Sequence, residues 1–223
     1  MDQPSTAVSR PPGPAAGLRE AGKAERLRRL KEATRRLLLT RGYDAATTRE
    51  ISQLAGVSIG TLFVYARDKR DLLYLVVNDE LDPVARFAHD NVPESGTALD
   101  RLGALLRPWY AYFADNLAIG RCAFREITYY QHHPEDVGEQ AVRLRTRMQA
   151  QEAHLCEILR DARSRGELVF AESPVLVGSM LYDIYQAEIR AWVFGPAPCV
   201  DEGMARLRAK FALLLDRMAA APG

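Results

Sequence analysis

The stretch from Gly42 to Leu73, GYDAATTREISQLAGVSIGTLFVYARDKRDLL, most constrains the fold, because it punctuates two short helices and opens a third. Thr47 and Glu50 have the spacing of a capping box, in which each side chain satisfies a free backbone N–H of the other at a helix start. A helix is therefore expected from Thr48. Its apolar residues Ile51, Leu54 and Ala55 follow the spacing of one buried face, and Gly56, which tolerates positive φ, stops it. Ser58 is placed to cap a second helix through about Tyr65, with Val57 and Leu62 turned back to the first, and Asp68 to cap a third. Helix, glycine-containing turn, helix is the layout of a helix-turn-helix. By pattern alone it also fits a plain packing hairpin.

The wording of the stretch separates these readings. Gly42-Tyr43, Thr47, Ile51, Ala55-Gly56-Val57-Ser58, Gly60-Thr61-Leu62, Tyr65, Lys69 and Leu72 stand in one ungapped register that resembles the DNA-binding domain of the tetracycline-repressor (TetR) family. Two positions depart from that pattern: Phe63, where the family usually has a phosphate-contacting tyrosine, and Ala66, where a bulky aromatic is usual. Losing one neutral hydrogen bond costs about 1 kcal/mol, so DNA binding is expected to survive. The resemblance implies a recognition helix from Ile59 to Tyr65 in the major groove, with Thr61, Val64 and Tyr65 nearest the DNA and Gly60 permitting close approach. Ile59 and Val64 would favour thymine methyl groups. Thr47, Phe63 and Lys69 would fix position on the backbone, and Thr48 and Ser58 complete the expected contact set.

Charge agrees with this placement. The chain of 223 residues has a net charge of +1, yet Leu18 to Asp71 holds 13 Lys or Arg against 7 Asp or Glu, and Leu72 to Gly223 holds 16 against 21. A basic segment on a helix-turn-helix supplies phosphate attraction, and an acidic remainder keeps the other domain off the duplex. No apolar run is long enough to cross a membrane, and the N-terminus lacks the layout of a signal peptide, so a cytoplasmic protein is expected. Cys122, Cys156 and Cys199 are far apart and suggest neither a disulfide framework nor a zinc site. Residues 1–22, rich in Pro, Ala, Ser and Gly, read as a disordered tail, whose Arg10 and Arg19 would serve either as a minor-groove arm or as part of a free tail.

The rest reads as helix. Leu27, Leu30, Thr34, Leu37 and Leu38 mark the buried face of a helix from Lys23 that buttresses the helix-turn-helix, giving a DNA-binding domain over 23–67. A long helix from Asp68 leads without a linker into a second domain over 68–223, and Pro83 is expected to end or kink it. Further helices are expected near 97–117, 120–131, 135–165, 173–194 and 200–219. The fold class is all-α, with about nine helices. Trp109, Tyr110, Tyr112, Phe113, Phe124, Tyr129 and Tyr130 are too many aromatics for one small core, and aromatic-lined pockets are how small molecules are held. The resemblance places a ligand cavity among these helices. The expected lining is Trp109, Phe113, Phe124, Tyr129, Tyr130, Met148, Tyr182 and Gln186.

The last helix carries an apolar seam of Met204, Leu207, Phe211, Leu214, Leu215 and Met218, and the helix before it offers Leu181, Ile184, Tyr185 and Trp192, with Gly178 and Ala191 permitting close approach. The resemblance implies a four-helix dimer interface here; intramolecular core is the alternative. No catalytic constellation, cofactor loop or His-Glu-x-x-His is present. His132, His133 and Asp136 form a metal site only on paper, because Pro134 interrupts their helix. The sequence points to a homodimeric, effector-responsive regulator, most simply a repressor released from a palindromic operator by a small apolar or aromatic molecule. A helical small-molecule enzyme or carrier without DNA binding is the other reading.

Overall fold

The computed structural model describes residues 14–132 and 138–219. Among these residues it is all-α: α1 (Pro14–Arg41), α2 (Thr48–Leu54), α3 (Ile59–Tyr65), α4 (Lys69–Asp90), α5 (Ala98–Asp115), α6 (Leu117–His132), α7 (Glu139–Ser164), α8 (Pro174–Val193) and α9 (Val200–Leu215). The helix starts are chemically specified. Thr47 and Glu50 form the full capping box of α2, and Ser58, Asp68, Thr97 and Ser173 each accept a backbone N–H at the start of their helices. Gly56, at φ +63°, makes the turn between α2 and α3 in a conformation that other residues rarely adopt.

Two apolar cores result. The smaller joins Leu30, Ala33, Ile51, Ala55, Leu62, Ala66, Leu72 and Leu75. The larger gathers Leu73, Tyr74, Val77 and Leu81 of α4 with the inner faces of α5 to α9. Helix α4 thus belongs to both. Every residue from Asp71 to Asn78 is buried, so this part of α4 has no solvent face.

Three expectations are corrected. Helix α1 begins at Pro14 rather than Lys23, so residues 14–22 are helical; residues 1–13 lie outside the described residues. Helix α4 runs on through Pro83 to Asp90, the packing of Leu81, Val84, Ala85 and Ala88 on the larger core outweighing the one hydrogen bond the ring removes. The third concerns the α8–α9 seam. Leu181, Tyr185, Trp192, Leu207, Phe211 and Leu215 are each at most 4% exposed in a single chain, and Ile184, Met204, Leu214 and Met218 pack against the same core. The first six are covered by the chain's own helices, as the intramolecular alternative has it, whereas Ile184, Met204, Leu214 and Met218 are only partly covered. Gly178 does permit a close approach, but to α7: a Cβ there would lie 2.4 Å from Cys156 Sγ.

Candidate DNA-reading face and effector cavity

The α3 face leaves its apolar residues in water. Phe63 and Val64 are 50% and 77% exposed, and Ile59, Ser58 and Gly60 are exposed beside them. A packing hairpin would bury such residues; a helix that enters a groove keeps them outward. Thr61 is half-buried, its hydroxyl 2.8 Å from that of Ser58. Thr47 is exposed and Thr48 half-buried at the α2 N-terminus. The basic side chains Lys23, Arg26, Arg36 and Arg49 are exposed on the same domain.

Two expected DNA contacts are engaged within the chain. The Tyr65 hydroxyl donates to the Lys23 carbonyl at 3.3 Å, tying α3 to α1. The Lys69 ammonium donates to the carbonyls of Tyr43 (2.8 Å) and Asp44 (3.3 Å) and sits 4.5 Å from the Tyr43 ring centroid. It fastens the α1–α2 connection to the start of α4. The guanidinium of Arg125 also lies over that ring, 5.2 Å from its centroid, and pairs with Asp44 at 3.0 and 3.1 Å. The next residue, Glu126, accepts from Arg70 Nε at 2.7 Å. Helix α6 is thereby strapped to the helix-turn-helix unit and the start of α4.

A partly open cavity of about 40 Å³ lies among α4 to α8. Of the expected lining residues, Trp109, Phe113, Phe124, Met148 and Gln186 do line it, with the Phe113 and Phe124 rings 5.1 Å apart. Tyr182 stands behind the wall, its ring 5.9 Å from that of Tyr185. The side chains of Tyr129 and Tyr130 lie outside the described residues, as do His133 and Asp136. The structure adds Leu81, Ile127, Leu144, Arg147, Gln151 and Tyr185, the last transferred from the seam. Arg147 and Gln151 were detectable in the sequence as polar residues on the otherwise apolar Leu144–Met148–Leu155 face of α7.

From this cavity a continuous run of buried and part-buried polar contacts reaches the helix-turn-helix unit. Arg147 donates to Asn78 Oδ1 (2.5 Å), to the Asn78 carbonyl (2.9 Å) and to Asp82. Burial pushes the Arg147 pKa down. Burial alone would raise that of Asp82, but its hydrogen bond to Arg147 and then that to Arg143 hold it below the usual carboxylate range. Asn78 Nδ2 donates to the Gln140 carbonyl at 2.7 Å. The Gln140 N–H donates to Asp71 Oδ1 at 3.1 Å, and Asp71 Oδ2 accepts the Arg67 N–H, also at 3.1 Å. Gly138 has no capping side chain of its own. Asp71 caps α7 from the neighbouring helix while holding the backbone just past α3. Burial raises the Asp71 pKa, partly offset by these two N–H groups.

Residues 30–75 match the family model described as bacterial regulatory proteins, tetR family. Over 65 residues the chain is 34% identical to the HTH-type transcriptional repressor Rv1474c of Mycobacterium tuberculosis, covering 29% of this chain and 35% of that protein. Over 90 residues it is 24% identical to the fatty acid metabolism regulator protein of Bacillus subtilis, covering 40% and 46%. The chain thus spans less than half the length of the curated relatives it matches. The fold likeness extends further: FadR of Thermus thermophilus, a TetR-family transcriptional repressor solved in complex with lauroyl-CoA, superposes with a TM-score of 0.64 at 24% identity over 88% of this chain and 99% of that one. Residues 30–75 thus carry the helix-turn-helix sequence of the tetR family of bacterial regulatory proteins, and the fold along most of the chain is that of the solved TetR-family structure.

Proposed function

We propose that this protein is a homodimeric, cytoplasmic repressor that binds an inverted-repeat operator and is released by a small molecule with an apolar body. The observation that carries the reading is helix α4, buried in both cores and hydrogen-bonded to both ends of the polar run. The cavity holds no more than a few water molecules, so an effector enters only by moving the helices around it. Moving α4 moves the α3 exit.

The ligand class follows from the walls and from the relatives. The lining is mostly apolar, one relative regulates fatty acid metabolism and another binds lauroyl-CoA, so a fatty acyl compound is the effector class favoured. The second copy would pack on what α8 and α9 leave exposed. Leu176, Met180, Ala187 and Ala191 recur along α8 at helical spacing, and Ala205, Ala209 and Leu213 along α9. Two-fold symmetry then places two recognition helices in successive major grooves, about 34 Å apart or somewhat more.

The test has two stages. Genomic fragments captured by the purified protein should contain an inverted repeat, and titration of that operator complex with lauroyl-CoA, followed by anisotropy, should release the DNA. If release is 100-fold, operator must weaken lauroyl-CoA binding equally, a coupling of about 2.7 kcal/mol. Absence of an enriched repeat would remove the DNA-binding reading, and equal lauroyl-CoA affinities with and without operator would remove the switch.

A further inference from the structure

Helix α1 carries one line of residues at alternating steps of four and three: Arg19, Lys23, Arg26, Leu30, Ala33 and Leu37. Such spacing keeps all six on one face. Leu30, Ala33 and Leu37 pack in the smaller core with residues of α2 and α3. Arg19, Lys23 and Arg26 run past that core, and from Arg19 to Arg26 every residue but Gly22 is exposed. On this overhang the face that elsewhere meets α2 and α3 is therefore a row of cations. The overhang begins beside α3, because the Tyr65 hydroxyl at the end of that helix donates to the Lys23 carbonyl at 3.3 Å.

The chain does not neutralise the row. Arg19, Lys23 and Arg26 form no ion pair among the described residues, and neither does Glu20. Glu25 and Glu32 instead pair with Arg28, on the opposite side of the helix, at 2.7 and 3.0 Å. From Arg19 to Arg26 the helix rises about 10 Å, the axial span of about three phosphates on one strand of B-DNA. A helix is about 10–12 Å across, too broad for a minor groove about 6 Å wide. Arg19 thus belongs to a helix that can meet the backbone, and to no extended arm that enters the minor groove.

We infer that Arg19, Lys23 and Arg26 form a phosphate-binding row that grips the DNA backbone flanking the groove occupied by α3, adding affinity without sequence preference. This rests on reading the α3 face as the one that meets DNA, and it adds a contact ahead of the stretch that carries the family sequence. The probe is a forty-base-pair duplex of random sequence, titrated into the full-length protein by anisotropy at several salt concentrations. Counterion release makes each phosphate contact worth about 0.9 in the slope of log K against log salt, so the triple variant Arg19→Ala, Lys23→Ala, Arg26→Ala should lower that slope by about 2.7 per protomer. Alanine is the best helix former, so these changes preserve α1, as circular dichroism should verify. Arg26→Ala alone should lower the slope by about 0.9, and this comparison stands even if the triple variant misfolds. A control triple, Arg86→Ala, Arg145→Ala, Arg160→Ala, removes the same charge from exposed positions on α4 and α7 and should keep the wild-type slope. A wild-type slope in the first triple, or an equal fall in both triples, would overturn the row while leaving α3 as the reading face. A wild-type protein that does not bind the duplex at low salt would overturn both.

Discussion

Lys69 and Arg49 illustrate how a cation's role depends on what its own chain asks of it. Lys69 stands where the family resemblance implies a phosphate contact, but its ammonium holds two carbonyls and the Tyr43 ring in place. Arg49 is exposed at the start of α2, beside the capped N-terminus, and forms no ion pair among the described residues. Counterion release makes the salt dependence of DNA binding count phosphate contacts. Replacing Arg49 by Ala should therefore weaken binding to all sequences alike and lower the slope of log K against log salt by about 1. Lys69→Ala should leave that slope nearly unchanged and instead reduce the free energy of unfolding by about 1–2 kcal/mol, read from urea denaturation. The type and position of each residue were legible in the sequence. Which carbonyls Lys69 would find was not, because Tyr43 and Asp44 reach it only through the tertiary turn.

Helix α4 shows the same limit one level up. Its start at Asp68, its apolar content and its direct passage from one domain to the other are all local properties, and they were readable. Its buried polar side chains were not, because apolar periodicity says nothing of Asp71 and Asn78, which look like solvent positions until α7 covers them. Asp71 is the instructive one, since a Cβ on Gly138 would lie 2.6 Å from its carboxylate, and only the bare backbone of α7 lets the carboxylate cap that helix. Asp71→Asn keeps the shape but replaces one acceptor oxygen with a donor, so one of the Arg67 and Gln140 N–H groups loses its partner. Operator affinity should fall less than tenfold, because the α3 face is untouched. The ratio of lauroyl-CoA affinities without and with operator should move toward 1, measured by calorimetry on the two forms. A ratio equal to that of the wild type would show that the coupling runs elsewhere, the Arg125–Asp44 and Arg70–Glu126 straps being the next candidates.

For the whole molecule the governing fact is which apolar faces the chain covers by itself. The sequence marks α8 and α9 as amphipathic, and periodicity of that kind is identical whether the cover is the same chain or a second copy. Leu207, Phe211 and Leu215 of the seam lie in the chain's own core, and the exposed positions one helical step away are those proposed for a partner. Leu213, 68% exposed, is the place to test this. Leu213→Glu should stay folded and sediment as a monomer at micromolar concentration, whereas Leu207→Glu, at a position 1% exposed, should lower stability by several kcal/mol by burying an unpaired charge. A Leu213→Glu protein that remains dimeric would move the interface off α9. The unbroken burial from Asp71 to Asn78 also has a consequence for how such a protein diverges. A helix with no free face tolerates little change, so variation is pushed outward to its two ends, the outward residues of α3 and the wall contributed by α7. A lineage can alter the DNA it reads or the molecule it answers to, one without the other, while the helix between them stays fixed.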